Sequence, residues 1–236
     1  TGLGFTSLTT EGFDVTYIKA NVVVDSLTAA QSVLNTPAKQ SRVVRETAQV
    51  IDYFNSGSSG NFPGDNAFPG IGFTDTEDFV VLVTGTVLIP ATGPWSFGVN
   101  SDDGFSLTLR DGAQTFTMSH PAPRGPADTI LVFNVARAGP FEATLLFYER
   151  GGGAELEFFA AQGSRATFNA NDFHLVGDTA EGGLTLLGFE SMIRTDIGGA
   201  MKGVNASLWT RFDFNAADPG TFGGILLRMR FEDCFA

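Results

Sequence analysis

The sequence predicts an all-β protein, a sandwich or a barrel carrying one short helix. Three observations lead there. Turn signals (Thr92-Gly93-Pro94, Asp102-Asp103-Gly104, Asp111-Gly112, Ala138-Gly139-Pro140, Gly151-Gly152-Gly153) punctuate the chain, the first three at the 8–12-residue spacing of such folds. Phe141, Ala143, Leu145 and Phe147 share one face of their segment, with the period of two that a pleated strand imposes. The aromatic residues are 23 phenylalanines against three tyrosines and two tryptophans. Rings without a polar handle suit the inner faces of a sandwich.

The elements follow in order. Phe13–Ile18 and then Val22–Val24 read as extended chain. Asp25 or Ser26 can cap a helix over 26–35, with Leu27, Ala30, Val33 and Leu34 at helical spacing. Asn35-Thr36-Pro37 stops it. Residues 42–54 read as one strand. Residues 55–72 form a loop too rich in turn formers to be regular, and two Phe-Pro-Gly triplets (62–64 and 68–70) anchor it. Strands follow at 79–89, 94–99, 105–110, 114–119, 129–136, 140–148, 153–160 and 173–176. The glycine-rich stretch 177–183 reads as a boundary. Residues 1–178 are then one β module, and 182–236 an incomplete second β unit or extension, with strands near 184–189, 206–214 and 224–231.

Composition excludes several function classes. Apolar residues make up 43% and charged residues 17%, which rules out a disordered acidic tail or a coiled coil. Lysine and arginine number 14 against 26 aspartates and glutamates, a net charge of −12. That balance repels nucleic acid and anionic membranes and suits cations, calcium included. Apolar runs such as Phe79–Val83 fall far short of the ~20 residues that span a bilayer. Cys234 is the single cysteine, and with only His120 and His174 beside it a structural zinc site is not expected.

The densest chemistry lies in Ile89–Leu107, which contains Trp95-Ser96-Phe97-Gly98 and Ser101-Asp102-Asp103-Gly104. Adjacent side chains on an extended chain point to opposite faces. For Asp102 and Asp103 to converge on one ion, a tight turn or an unusual peptide bond is needed, and Gly104 relieves the crowding. Two carboxylates plus loop carbonyls can supply oxygens to calcium, which takes six to eight. Without a cation they repel, and one takes up a proton.

This block resembles the protective-antigen lectin-like module, the PA14 domain, of anthrax protective antigen, yeast flocculins, bacterial ice-binding adhesins and many glycosidases. Asp78–Gly85 and the Tyr148-Glu149-Arg150-Gly151-Gly152-Gly153 turn match the same family, and the resemblance covers roughly residues 12–176. It implies an antiparallel β-sandwich, a lectin-like jelly roll. It also implies a cis peptide between Asp102 and Asp103, a calcium ion on that pair, and sugar hydroxyls completing the ion's shell. Sugar-binding members supply an asparagine and carbonyls from a second loop. Here the matching turn has no asparagine; Glu149 stands as the acidic substitute and third metal ligand. Arg150, Gly151, Gly152 and Gly153, with Asp102 and Asp103, are the implied glycan contacts.

Each residue also has a plainer reading. Asp102-Asp103-Gly104 alone is an acidic turn. Glu149 alone is a solvated strand-end residue, and Asp75, Glu77 and Asp78 form a solvated turn guarding an edge. Asp65 and Asn66 are turn formers that can also line a binding mouth. Trp95 belongs in the core rather than under a sugar. His120 is exposed and idle, His174 a satisfied strand residue and Cys234 a small buried one. No glycine-flanked serine supports a catalytic triad, and neighbouring carboxylates in one turn do not match the facing pair of a glycosidase. The reading is a non-catalytic, calcium-dependent carbohydrate-binding module of a larger secreted or cell-surface bacterial protein, with glycans or surface polysaccharide as partner. Its alternatives are a structural or adhesive spacer and an accessory module of a secreted glycosidase.

Overall fold

The structure is a computed structural model that describes residues 12–57 and 59–188, together with two short strands further on. The chain divides into two compact units, Glu11–Leu186 and the remainder. Of the second, only an antiparallel pair, Phe214–Asn215 with Leu226–Leu227, is described. Cys234 and most of the expected second β unit lie outside the described residues.

The first unit begins with β1 (Phe13–Ala20), α1 (Leu27–Asn35), a 3-10 turn (Pro37–Lys39), β2 (Gln40–Ala48), β3 (Asp52–Phe54) and β4 (Asn66–Ala67). It continues with β5 (Phe79–Ile89), β6 (Gly93–Asp102), β7 (Gly104–Arg110), β8 (Thr115–His120), β9 (Ala127–Val135), β10 (Gly139–Glu149), β11 (Glu155–Gln162) and β12 (His174–Leu175). Sheet one has the order β2-β1-β5-β10-β7-β8. Sheet two has the order β4-β3-β11-β6-β9, with β12 on β11. All pairings are antiparallel except β3 with β4.

The alternation read from the sequence builds the core. Val81, Val83, Val87 and Ile89 of β5 and Phe141, Ala143, Leu145 and Phe147 of β10 face Trp95, Phe97 and Val99 of β6 and Leu156, Phe158 and Ala160 of β11 in one cluster. Each valine, leucine, isoleucine or phenylalanine among them contributes roughly 1.5–3 kcal/mol by leaving water. Phe68 from the long loop enters the same core, stacked on Tyr53 at 5.2 Å and on Phe147 at 5.8 Å. Outside the sandwich, α1 covers sheet one. Ser26 Oγ accepts the Ala29 N–H as N-cap, and Ala30 and Val33 pack on Ile18, Val80, Leu146 and Tyr148.

Two expectations need correction. Residues 42–54 are two strands, broken at 49–51, because β2 lies at the edge of sheet one while β3 belongs to sheet two. Ile51 is buried at the crossing, where its carbonyl accepts the Phe158 N–H. The 177–183 stretch folds back rather than leading away. Gly177 N–H donates to Leu184 O, Leu88 N–H donates to Thr185 O, and Leu184 and Leu186 join the main core.

Candidate cation site

Strand β6 ends at Asp102 and β7 begins at Gly104, so Asp103 alone carries the chain from sheet two to sheet one. The Asp102–Asp103 peptide is cis. Glu149 closes β10 beside them. Asp102, Asp103 and Glu149 each offer a carboxylate oxygen, and these oxygens all lie within 4.8 Å of one another. Gly104 is required by close approach: a Cβ there would meet the Tyr148 ring at 2.6 Å and the His120 carbonyl at 2.7 Å.

Two backbone N–H groups hold the buried Asp103. Arg124 N donates to its Oδ1 at 2.9 Å and Arg150 N to its Oδ2 at 2.7 Å. Such charge-assisted bonds fix the carboxylate's orientation. The Arg124 guanidinium is itself fastened to Ser101 O, Ser101 Oγ and Thr129 Oγ1, and lies 5.6 Å over the Phe105 ring. Nothing in Pro121-Ala122-Pro123-Arg124 singled this arginine out in the sequence. Its role comes from where the β8–β9 connection returns.

Glu149 is not the solvated strand-end residue that its position suggested. It is 0% exposed, and neither carboxylate oxygen has a hydrogen-bond partner. The Gly151 N–H faces it and lowers its pKa somewhat, without reaching hydrogen-bond geometry. Burial first, and then the neighbouring Asp103 and Asp102, push Glu149 up to about 9. Burial and Asp103 push Asp102 up to about 7, against the pull of Arg124. Three carboxylates this close, two of them buried, repel one another unless protons or a cation intervene. Oxygen donors at such spacing suit a hard cation, so the residues present fit a bound metal ion.

The other expected residues fall differently. Arg150 gives its backbone N–H to Asp103, while its guanidinium turns to Asp78 at 3.9 Å, a half-exposed pair of little energetic weight. Asp78 is not a free edge charge either, because its Oδ1 accepts the Val24 N–H. Gly151 and Gly152 are exposed at the tip of the turn. Gly153 packs so tightly on Ser56 that a Cβ would overlap the Ser56 carbonyl. Trp95 is in the core, its Nε1–H donating to Ala91 O at 3.0 Å.

No family model and no curated protein matches the sequence. Solved structures do. The PA14 sugar-binding domain from an RTX adhesin aligns with a TM-score of 0.50 at 18% identity, over 70% of this chain and 94% of that one. The fold is that of a PA14 domain. The PA14 domain of the MpAFP antifreeze protein gives 0.50 at 15% identity, over 80% and 95% of the two chains. A more distant likeness is the A domain of Epithelial Adhesin 6 from Candida glabrata, solved with Galb1-3GlcNAc, at 0.47 and 11% identity over 76% and 93%. Within the PA14 fold, the three carboxylates sit where a β6–β7 turn and the end of β10 converge.

Proposed function

We propose that this PA14 domain is a non-catalytic, calcium-dependent carbohydrate-binding module of a secreted or surface-displayed bacterial protein. Asp102, Asp103 and Glu149 would hold the ion. Calcium, with its six to eight oxygen ligands, would then offer its remaining positions to sugar hydroxyls, with the 150–153 turn alongside. The observation that carries the reading is Glu149: a fully buried carboxylate with both oxygens unpartnered, within 4.8 Å of two further carboxylates. The likeness to the sugar-binding PA14 domain of an RTX adhesin supports the choice of ligand. Among the described residues no helix is long and apolar enough to cross a membrane.

The test is a calcium titration of chelator-stripped protein by calorimetry, followed by a glycan array with and without calcium. Saturable uptake that Asp102→Asn with Asp103→Asn reduces, and array signals that need calcium, are the expected results. Unchanged calcium uptake in that double variant would sink the site.

A second reading, a spacer whose ion only braces the loop, draws on Asp103. Both of its oxygens already accept backbone N–H groups, and its side chain is buried. Calcium uptake with a blank array would favour the spacer.

A further inference from the structure

The outer face of sheet two carries acids that the site above does not use. Glu157 stands opposite Asp52 on β3 and opposite Asn100 on β6; Asn100 stands opposite Asp128 on β9, and Glu155 opposite Asp102. Directly opposed residues share a face. In water such acids would be hydrated. Instead the 59–66 segment folds across them. A Cβ at Gly60 would overlap both Glu155 Oε1 and the Glu157 carboxyl group. Asn61 N and Phe62 N donate to Glu157 Oε1 at 2.7 and 2.8 Å, and Asn61 Nδ2 donates to Asp128 Oδ1 at 2.7 Å. Phe62 pins the segment on Phe159 and Phe168, with ring centroids 5.6 and 5.4 Å away.

The acids are therefore dry. Asp52 is 3% exposed, Glu155 1%, Glu157 0% and Asn100 7%. Both oxygens of Glu155, Asp52 Oδ1, Glu157 Oε2, Asp65 Oδ1 and Asn100 Oδ1 are buried without a hydrogen-bond partner. Every one is an acceptor, and an unpaired buried charge costs several kcal/mol. Asn100 decides what is missing, because it is neutral. Its Nδ2 donates to Asp128 Oδ1 on β9 at 2.9 Å, while its oxygen, on the face it shares with Glu157, is left with no donor. Among the described residues no ion pair reaches Asp52, Asp65, Glu155 or Glu157. Arg124, which feels Asp128 and Asp102, spends its donors on Ser101 and Thr129.

We propose that a second cation of calcium's class is held here by Asp52, Glu155, Glu157, Asp65 and the Asn100 amide oxygen, beneath the 59–66 segment and in addition to the one at Asp102–Asp103–Glu149. Asp65 arrives from the long loop, so the ion fastens that loop to the sheet. Burial, Glu157 and Asp65 push Asp52 up to about 7.

The experiment uses the full chain, stripped with chelator and titrated with calcium alone, read by calorimetry and native mass spectrometry. Asp102→Asn with Asp103→Asn should still take up calcium, one equivalent less than the parent. Asp52→Asn with Glu157→Gln should lose the other equivalent and keep the first. Calcium should slow proteolysis within 59–66 in the parent and in the Asp102/Asp103 variant alike. A folded Asp102/Asp103 variant that binds no calcium up to ~millimolar, the range of weak extracellular sites, overturns the proposal. So does parental stoichiometry in the Asp52/Glu157 variant. Should that variant fail to fold, Asp65→Asn serves: about tenfold weaker binding of one equivalent is expected, since ligand charge sets affinity, and unchanged affinity overturns the proposal. An infrared band of neutral carboxylic acid that persists in saturating calcium also overturns it, because the cluster then holds protons. Loss confined to the Asp52/Glu157 variant supports this proposal and sinks the Asp102–Asp103–Glu149 site. Loss confined to the Asp102/Asp103 variant overturns this proposal and leaves the first site standing.

Discussion

Replacing Glu149 by glutamine should stabilise the cation-free protein. The side chain keeps its size, and a titrating buried group becomes a neutral one. The magnitude follows from its pKa, raised from 4.5 to about 9 by burial, Asp103 and Asp102. At pH 7 the unfolded chain has Glu149 ionised, while the folded chain holds it protonated. Folding must therefore take up a proton about 2.5 pH units above the unfolded pKa, at about 1.4 kcal/mol per unit. The cost is about 3.5 kcal/mol. In a unit of this size each kcal/mol moves the melting temperature by roughly 2–4 °C, so Glu149→Gln should raise it by roughly 7–14 °C in chelator at pH 7. The sign with pH is fixed as well. A folded-state pKa above the unfolded value gives stability that is complete below 4.5 and is lost as pH rises toward about 9. The parent's melting temperature should fall across that window, and the variant's should fall less. The remaining slope belongs to Asp52 and Asp102, each raised to about 7, Glu155, raised to about 8, and Glu157, raised to about 6. In saturating calcium the order reverses, because only the parent keeps all three carboxylates. Thermal melts from pH 5 to 9, with chelator and with calcium, check this. A variant that melts below the parent in chelator at pH 7, or that keeps the parent's slope, would mean that Glu149 is ionised and partnered. The argument for a cation would then fail.

Other outcomes follow from the packing. Phe158→Ala empties a core position where the ring stacks 6.2 Å from Phe97 and lies 6.0 Å from Phe13, and should cost about 3–5 kcal/mol in urea unfolding. Gly104→Ala drives a methyl group against the Tyr148 ring and a backbone carbonyl, and should cost about 1–3 kcal/mol while weakening calcium uptake in the same titration. Asp111→Ala should cost about 1–2 kcal/mol at pH 7, because Asp111 Oδ1 accepts from Ala113 N and Gln114 N in the β7–β8 turn. Burial works to raise the Asp111 pKa, but these bonds, the Gln114 amide and Arg137 outweigh it and hold the carboxyl well below the usual range. Its stabilisation is thus present above the unfolded value of 3.8 and lost as pH falls below it, so parent and variant should converge in acid melts.

The strands from β5 to β11 were legible because their inner residues alternate and their turns carry glycine, proline or aspartate at the right spacing. Asp102 and Asp103 were legible through the motif around them. What the sequence hid was burial decided far along the chain. Glu149 reads as a strand-end charge until Asp103 is seen beside it. Glu155 and Glu157 alternate with Leu156 and Phe158 like any strand with a wet outer face. Only the return of Asn61 and Phe62 over Glu157 makes that face dry. Arg124 and the break at 49–51 were hidden likewise, since each depends on which sheet the chain enters next.

The single-residue crossing at Asp103 has a mechanical consequence. Asp102 ends a strand of one sheet and Glu149 ends a strand of the other, so an ion shared between them is a bolt through the open end of the sandwich. The sequence has one cysteine and hence no intramolecular disulfide to do that work. Pulling the sheets apart at this end would have to break metal–oxygen bonds, and the tension the domain withstands would then follow the calcium concentration around it.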